Sequence, residues 1–119
     1  MTRSAEDIVK GQLDAYNAKD VNRFLSFWAE DAEIYAHPQT LLAKGHRAIG
    51  DRHLIRFQEP DLYAHLISRS VIGTFVIDTE SVTRNFPEGM RRVDVVGIYE
   101  IEGETIKRAW FIMGTPREP

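Results

Sequence analysis

Apolar residues recur at helical spacing near the start of the chain and at every second position in its latter half, a change of period that predicts helices followed by strands. Ala5, Ile8, Val9, Gln12, Leu13 and Tyr16 fall at i, i+3, i+4, i+7, i+8 and i+11 and trace one stripe along a first helix of about four turns. Ser4 is suited to cap it, and Glu6 and Asp7 put negative charge in its first turn, where the helix dipole favours it. The run Asn17-Ala18-Lys19-Asp20 breaks the stripe. Asp20 then caps a short second helix on which Val21, Phe24, Leu25 and Trp28 share a face.

After Glu30-Asp31 a short strand runs from Ala32 to His37, and Pro38, lacking a backbone donor, ends or bends it. Gly45 opens a third helix with Ile49, Leu54 and Phe57 as apolar contacts, closed by Glu59-Pro60. Four long strands follow, roughly 62 to 72, 75 to 86, 91 to 102 and 104 to 113, split by Gly73-Thr74, Pro87-Glu88-Gly89 and Glu102-Gly103. Each break is short enough for an antiparallel hairpin. Helices first and a meander afterwards predict a single α+β domain over 1–119, its sheet curled around the helices to bury Trp28, Phe57 and the first stripe. On the third long strand Val93, Val95, Gly97, Tyr99 and Ile101 point one way, and Arg92, Asp94, Val96, Ile98 and Glu100 the other. Both faces carry apolar residues, so the outer face is expected to be covered by a second copy in a homodimer.

Composition narrows the functional classes. With 15 basic against 18 acidic residues, the chain has no electrostatic reason to bind nucleic acid. No apolar run approaches the roughly 20 residues that span a bilayer. The N-terminus leads into an amphipathic helix instead of a signal segment, so the expected location is the cytoplasm. The absence of cysteine excludes disulfides, thiolate metal sites and a cysteine nucleophile. No two of the four histidines have metal-pair spacing and no HExxH run occurs, so neither a metal nor another cofactor is expected. Gly-rich phosphate loops and G-x-S-x-G elbows are also missing.

Two blocks resemble a known superfamily. Leu13-Asp14-Ala15-Tyr16-Asn17-Ala18-Lys19-Asp20, followed by Phe27-Trp28-Ala29-Glu30-Asp31-Ala32-Glu33-Ile34, is similar to the opening of SnoaL-like members of the nuclear transport factor 2 and ketosteroid isomerase superfamily. The segment Ile98 to Ile106, with Ala109-Trp110-Phe111, resembles its last hairpin. The resemblance implies a cystatin-like conical barrel. In it three N-terminal helices pack in the concave face of a curved, mainly antiparallel sheet around a deep apolar pocket, usually in a dimer. It does not imply one activity, because a fold hosts many. Ketosteroid isomerase pairs a carboxylate base with an oxyanion hole of a tyrosine and a protonated aspartic acid. By that resemblance the oxyanion tyrosine falls at Gln12, the base at Ala36 or His37, and the oxyanion aspartate near Gly97. None of the three is kept, so that triad is not expected here.

His37 stands at the position of the relative's base and carries an imidazole, a group able to take and give a proton, which makes it the first candidate for general acid–base work; in its plainer role it is a partner for turn carbonyls. Tyr16 and Gln12, on the inward stripe, offer a hydroxyl and an amide to a ligand carbonyl, or simply pack. Trp28, Tyr35, Tyr99 and Trp110 are candidate walls for a pocket that takes a small apolar molecule, or core. Strand parity places Arg108 with Ile106, Trp110 and Ile112, where burial requires a carboxylate partner such as Glu80 or Asp78. Asp78, Glu80 and Arg84 share a face with Val76 and Val82, and the same charges also suit a dimer interface. Arg47, Arg52 and Arg56 form a basic set on the third helix, ordinarily a solvated face. These readings lead to a cofactor-independent proton transfer (isomerisation, cyclisation or dehydration) on an apolar carbonyl-bearing substrate, with Tyr16, Gln12 or Arg108 holding the oxyanion. The rivals are a non-catalytic ligand-binding or dimeric scaffold domain and, third, an anion-binding enzyme using Arg108 and Arg84.

Overall fold

The computed structural model describes residues 3–119. Helix α1 (Ala5–Asn17) starts at Ser4, whose hydroxyl accepts from the Asp7 amide at 3.1 Å, and α2 (Val21–Leu25) starts at Asp20, whose carboxylate accepts from the Arg23 amide. Between them Lys19 reverses the chain at φ 57°, a left-handed conformation that costs a residue with a side chain roughly 1–2 kcal/mol. Its ammonium donates to the Glu59 carbonyl, which ties this turn to the end of α3 (Gly45–Arg56).

Strand β1 (Trp28–Ala36) starts four residues earlier than the hydrophobic pattern predicts, so Trp28 begins a strand instead of extending α2. Strand β2 (Thr40–Lys44) has no counterpart in that pattern; it lies at the sheet edge, with only Ala43 buried. Strands β3 (Tyr63–Ile72), β4 (Phe75–Phe86), β5 (Gly89–Glu102) and β6 (Thr105–Met113) form the expected antiparallel meander. The sheet runs β2-β1-β6-β5-β4-β3, with β1 parallel to β6 and every other pair antiparallel. The result is an α+β, cystatin-like architecture whose six-stranded mixed sheet stays open, with β2 and β3 as edges, instead of closing into a barrel. No helix among the described residues is long and apolar enough to cross a membrane.

The helices pack on one face of this sheet, α1 against β3, β4 and β6, and α3 against β1 and β2. Phe24 sits at the centre, 1% exposed, with the rings of His53, Trp28, Phe57 and Tyr16 between 4.4 and 6.1 Å away. Helix α3 turns inward Ile49, Gly50 and His53, and Phe57, just past its end, is buried too, whereas Leu54, an expected core residue, is half exposed.

A register shift corrects the parity assigned to Arg108. Ile101 pairs with Ile106, yet Glu100 pairs with Arg108, so β6 carries an extra residue and switches faces there, the usual effect of a bulge. Ile106 is therefore fully buried, while Arg108 emerges on the opposite, convex face. It bridges Glu33 and Glu100, both at 3.3 Å, and not Glu80 or Asp78.

Asn17 fastens the edge strand to the helices. Its amide accepts from the Ala64 N–H at 2.8 Å and donates to the Ala64 carbonyl at 2.9 Å. Asn17→Ala is expected to lower stability by about 1–3 kcal/mol in chemical denaturation, since two backbone groups lose their partner. An unchanged midpoint would contradict this role.

Candidate functional site

Between the helices and the concave face lies a cavity of about 90 Å³. Its buried wall includes Gln12 and Leu13 from α1, Phe24 from α2, Trp28 and Ile34 from β1, and Tyr99 from β5. Its rim includes the partly exposed Leu42, Arg52 and Met113. These residues meet because the inward stripe of α1 crosses strands whose alternate residues face it.

Most of the lining is apolar, and the polar groups are few. Gln12 Nε2 donates to the Tyr99 hydroxyl at 3.3 Å, an interaction buried on both sides. Tyr99 is 3% exposed, and burial, reinforced by the nearby Glu80 and Asp78 carboxylates, raises its pKa well above the usual tyrosine value. Gly97 makes room for that ring: a Cβ there would stand 3.1 Å from the Tyr99 hydroxyl and 3.1 Å from the Phe111 ring. A side chain such as the carboxylate that the isomerase relative keeps near this position would press on both rings.

Glu80 is the least ordinary group in the cavity. It is 6% exposed, and its Oε2 is fully buried with no hydrogen-bond partner among the described residues. Burial, with the neighbouring Asp78 charge, pushes its carboxyl up to about 7, against a smaller opposing effect of Arg69. Asp78, two residues earlier on the same strand face, is fully buried but held bidentately by Arg69 at 2.7 and 2.9 Å. Of these two inward carboxyls, Asp78 has a guanidinium partner and Glu80 has none. Trp28, another lining residue, carries at Nε1 the other buried side-chain polar atom without a partner among the described residues.

Tyr16 lines the cavity and accepts a long hydrogen bond, 3.4 Å, from Arg56. His53, missed by the sequence reading, lies between Phe24 and Phe57 and donates from Nδ1 to the Ile49 carbonyl. Desolvation lowers its pKa to about 4, so at neutral pH it is an uncharged wall residue. A 3.6-residue period over α3 that admits histidine as an inward residue would have found it.

The sequence-predicted residues divide into two sets. Gln12, Tyr16, Trp28, Glu80 and Tyr99 line the cavity. His37 does not: it is exposed in the turn after β1, outside the lining. Tyr35 and Trp110 also lie elsewhere, stacked on each other at 5.9 Å as register partners of β1 and β6, alongside Arg108 on the convex face. The bulge in β6 that moved Arg108 is the shared cause for Arg108 and Trp110. Among the described residues no group of three histidine, aspartate or glutamate side chains is placed to hold a metal ion.

The sequence pattern of the SnoaL-like domain matches residues 9–109, from the buried stripe of α1 to the middle of β6. The chain belongs to the SnoaL-like family. No curated protein matches it. Among solved structures, this SnoaL-like domain is similar to an uncharacterised cystatin-fold protein from Novosphingobium aromaticivorans, with 28% identity and a TM-score of 0.86 over 92% of this chain and 98% of that one. It is also similar in fold to a proposed SnoaL-like polyketide cyclase from Shewanella denitrificans, with 11% identity and a TM-score of 0.82 over 92% of this chain and 90% of that one. A proposed polyketide cyclase from Streptomyces antibioticus gives 16% identity and a TM-score of 0.77 over 93% and 92%.

Proposed function

We propose that this SnoaL-like domain catalyses a cofactor-independent proton transfer next to a carbonyl of a small, largely apolar molecule, with Glu80 as the acid–base group. The observation that carries this reading is a buried, unpartnered carboxyl that titrates near neutrality in a cavity whose remaining lining is mainly apolar. Glu80 takes the role that sequence reasoning gave to His37. Tyr99 accepts from Gln12, so its own O–H is free to donate, and Trp28 Nε1–H has no other acceptor among the described residues. These two donors would hold the oxygen of a developing enolate, each worth about 3–4 kcal/mol when well placed. The similarity to proposed polyketide cyclases favours carbonyl chemistry of this kind. Hydrogen–deuterium exchange at the α-carbons of small cyclic ketones, followed by NMR in D2O, tests it. A protein-dependent rate that Glu80→Gln lowers at least about 100-fold is expected. No protein-dependent exchange, or a rate that Glu80→Gln leaves untouched, contradicts it.

We also infer that two copies pair through the convex face of the sheet. Ile77, Ile98, Trp110, Tyr35 and Leu41 are successive register partners on five adjacent strands and form one apolar row across it. Ile112, in the next row, is 45% exposed. Sedimentation is expected to give a dimer that Trp110→Glu converts to a monomer. A monomeric wild-type protein would contradict the pairing.

A further inference from the structure

Beside the cavity lies a second, more open depression of about 270 Å³, lined by Arg52, Ile55, Arg56, Glu59 and Arg84. Its three arginines also line the cavity, so the two spaces meet along them. Three guanidinium groups here face one carboxylate. Glu59 is engaged by Arg84, with contacts of 2.8, 2.9 and 3.1 Å, and by the Asn85 amide at 2.9 Å. Arg56 reaches Glu59 only at 3.8 Å and otherwise donates to Tyr16 at 3.4 Å. Arg52, one helical turn from Arg56, has no hydrogen bond or ion pair among the described residues. Like charges four residues apart destabilise a helix by a few tenths of a kcal/mol, and packing alone gives no reason for them at a cavity rim. Partial burial and the charges of Arg56 and Arg84 also lower the pKa of Arg52, as expected for a cation without a counter-ion.

The cavity itself, at about 90 Å³, is well below the roughly 300–1,000 Å³ of sites that enclose a drug-sized ligand. A ring or short chain fits inside, and the remainder of a longer molecule must lie over the rim, where these arginines are. Resting on the reading of the cavity as a substrate site, we propose that the molecule acted on carries a carboxylate, held at the rim by Arg52 and Arg56 while its apolar carbonyl end enters toward Glu80. Arg84, fixed by Glu59 through three short contacts, braces the rim and leaves Arg56 only a 3.8 Å contact with that carboxylate. The same charge gradient, positive outside and acidic within, sets the direction in which the molecule enters.

Binding of phenylacetate and of its neutral counterpart phenylacetamide, followed by tryptophan fluorescence and by calorimetry at low salt, tests this. Phenylacetate is expected to bind at least about tenfold more tightly, the effect of one charge-assisted hydrogen bond. Added salt should erode the difference. Arg52→Gln, which removes no hydrogen bond or ion pair among the described residues, should abolish most of the preference with an unchanged melting temperature, and Arg52→Gln/Arg56→Gln all of it. Glu80→Gln should leave the preference intact, so the rim assignment stands or falls apart from the assignment of the acid–base group. Equal binding of the two compounds, no binding of phenylacetate, or a preference that survives the double substitution overturns the proposal.

Discussion

Glu80→Gln is expected to reduce proton-transfer turnover by a factor of about 10² to 10⁴ while making the protein more stable at alkaline pH. The two effects have one cause. A glutamine keeps the shape and an amide that can donate, but cannot accept a proton from carbon. The wild-type carboxyl titrates near 7 in the folded state against 4.5 ordinarily, because burial penalises its charge. As pH rises from 4.5 the unfolded chain releases this proton first, so the folded state loses stability until about pH 7 and the loss then levels off. The full penalty is on the order of 3 kcal/mol. His53 acts in the opposite sense: it stays neutral in the fold down to about pH 4, whereas the unfolded chain protonates it below 6.5, so stability falls as pH falls between those values. In the wild type the two slopes oppose each other over roughly pH 4.5 to 6.5, and the profile should be nearly flat there. Thermal or urea denaturation of Glu80→Gln should unmask the His53 slope, stability rising with pH to 6.5 and staying high above it. A variant whose profile matches the wild type would show that Glu80 is not charged at a cost.

Arg69→Ala is expected to destabilise the domain by about 3–5 kcal/mol, comparable with the deletion of a large core side chain. Asp78 is fully buried and Arg69 nearly so, with bidentate geometry at 2.7 and 2.9 Å. Removing the guanidinium leaves a carboxylate in low dielectric beside a second carboxyl, Glu80. Replacing both partners by apolar residues of similar size, as in Arg69→Met/Asp78→Leu, should recover most of the loss, because a buried pair contributes little beyond its own desolvation. Urea denaturation of the two variants checks this, and equal losses in both would contradict it.

These expectations rest on features that the sequence shows unevenly. Caps and hairpins are short-range: Ser4 and Asp20 cap α1 and α2, and the three strand breaks at Gly73, Pro87 and Gly103 become tight turns, because each needs only neighbouring residues. Gln12, Tyr16 and Tyr99 follow from period alone, since an unbroken helix or strand keeps its inward face. Arg108 and Trp110 were misplaced because one extra residue in β6 changes parity, and nothing in the local sequence announces a bulge. His37 was attractive by its place in a resemblance, yet it follows the last residue of β1 and has left the concave face. The asymmetry of Asp78 and Glu80 was not legible at all. It depends on Arg69, a residue of the neighbouring strand brought opposite Asp78 by register.

The ionisation of Glu80 itself, followed through the carboxyl ¹³C resonance of labelled protein and assigned by its loss in Glu80→Gln, is the most direct measurement. A midpoint near 7 is predicted, from burial without a hydrogen-bond partner. A midpoint at the ordinary 4.5 would mean that this carboxyl is solvated or paired, and would remove the basis for placing acid–base chemistry in the cavity.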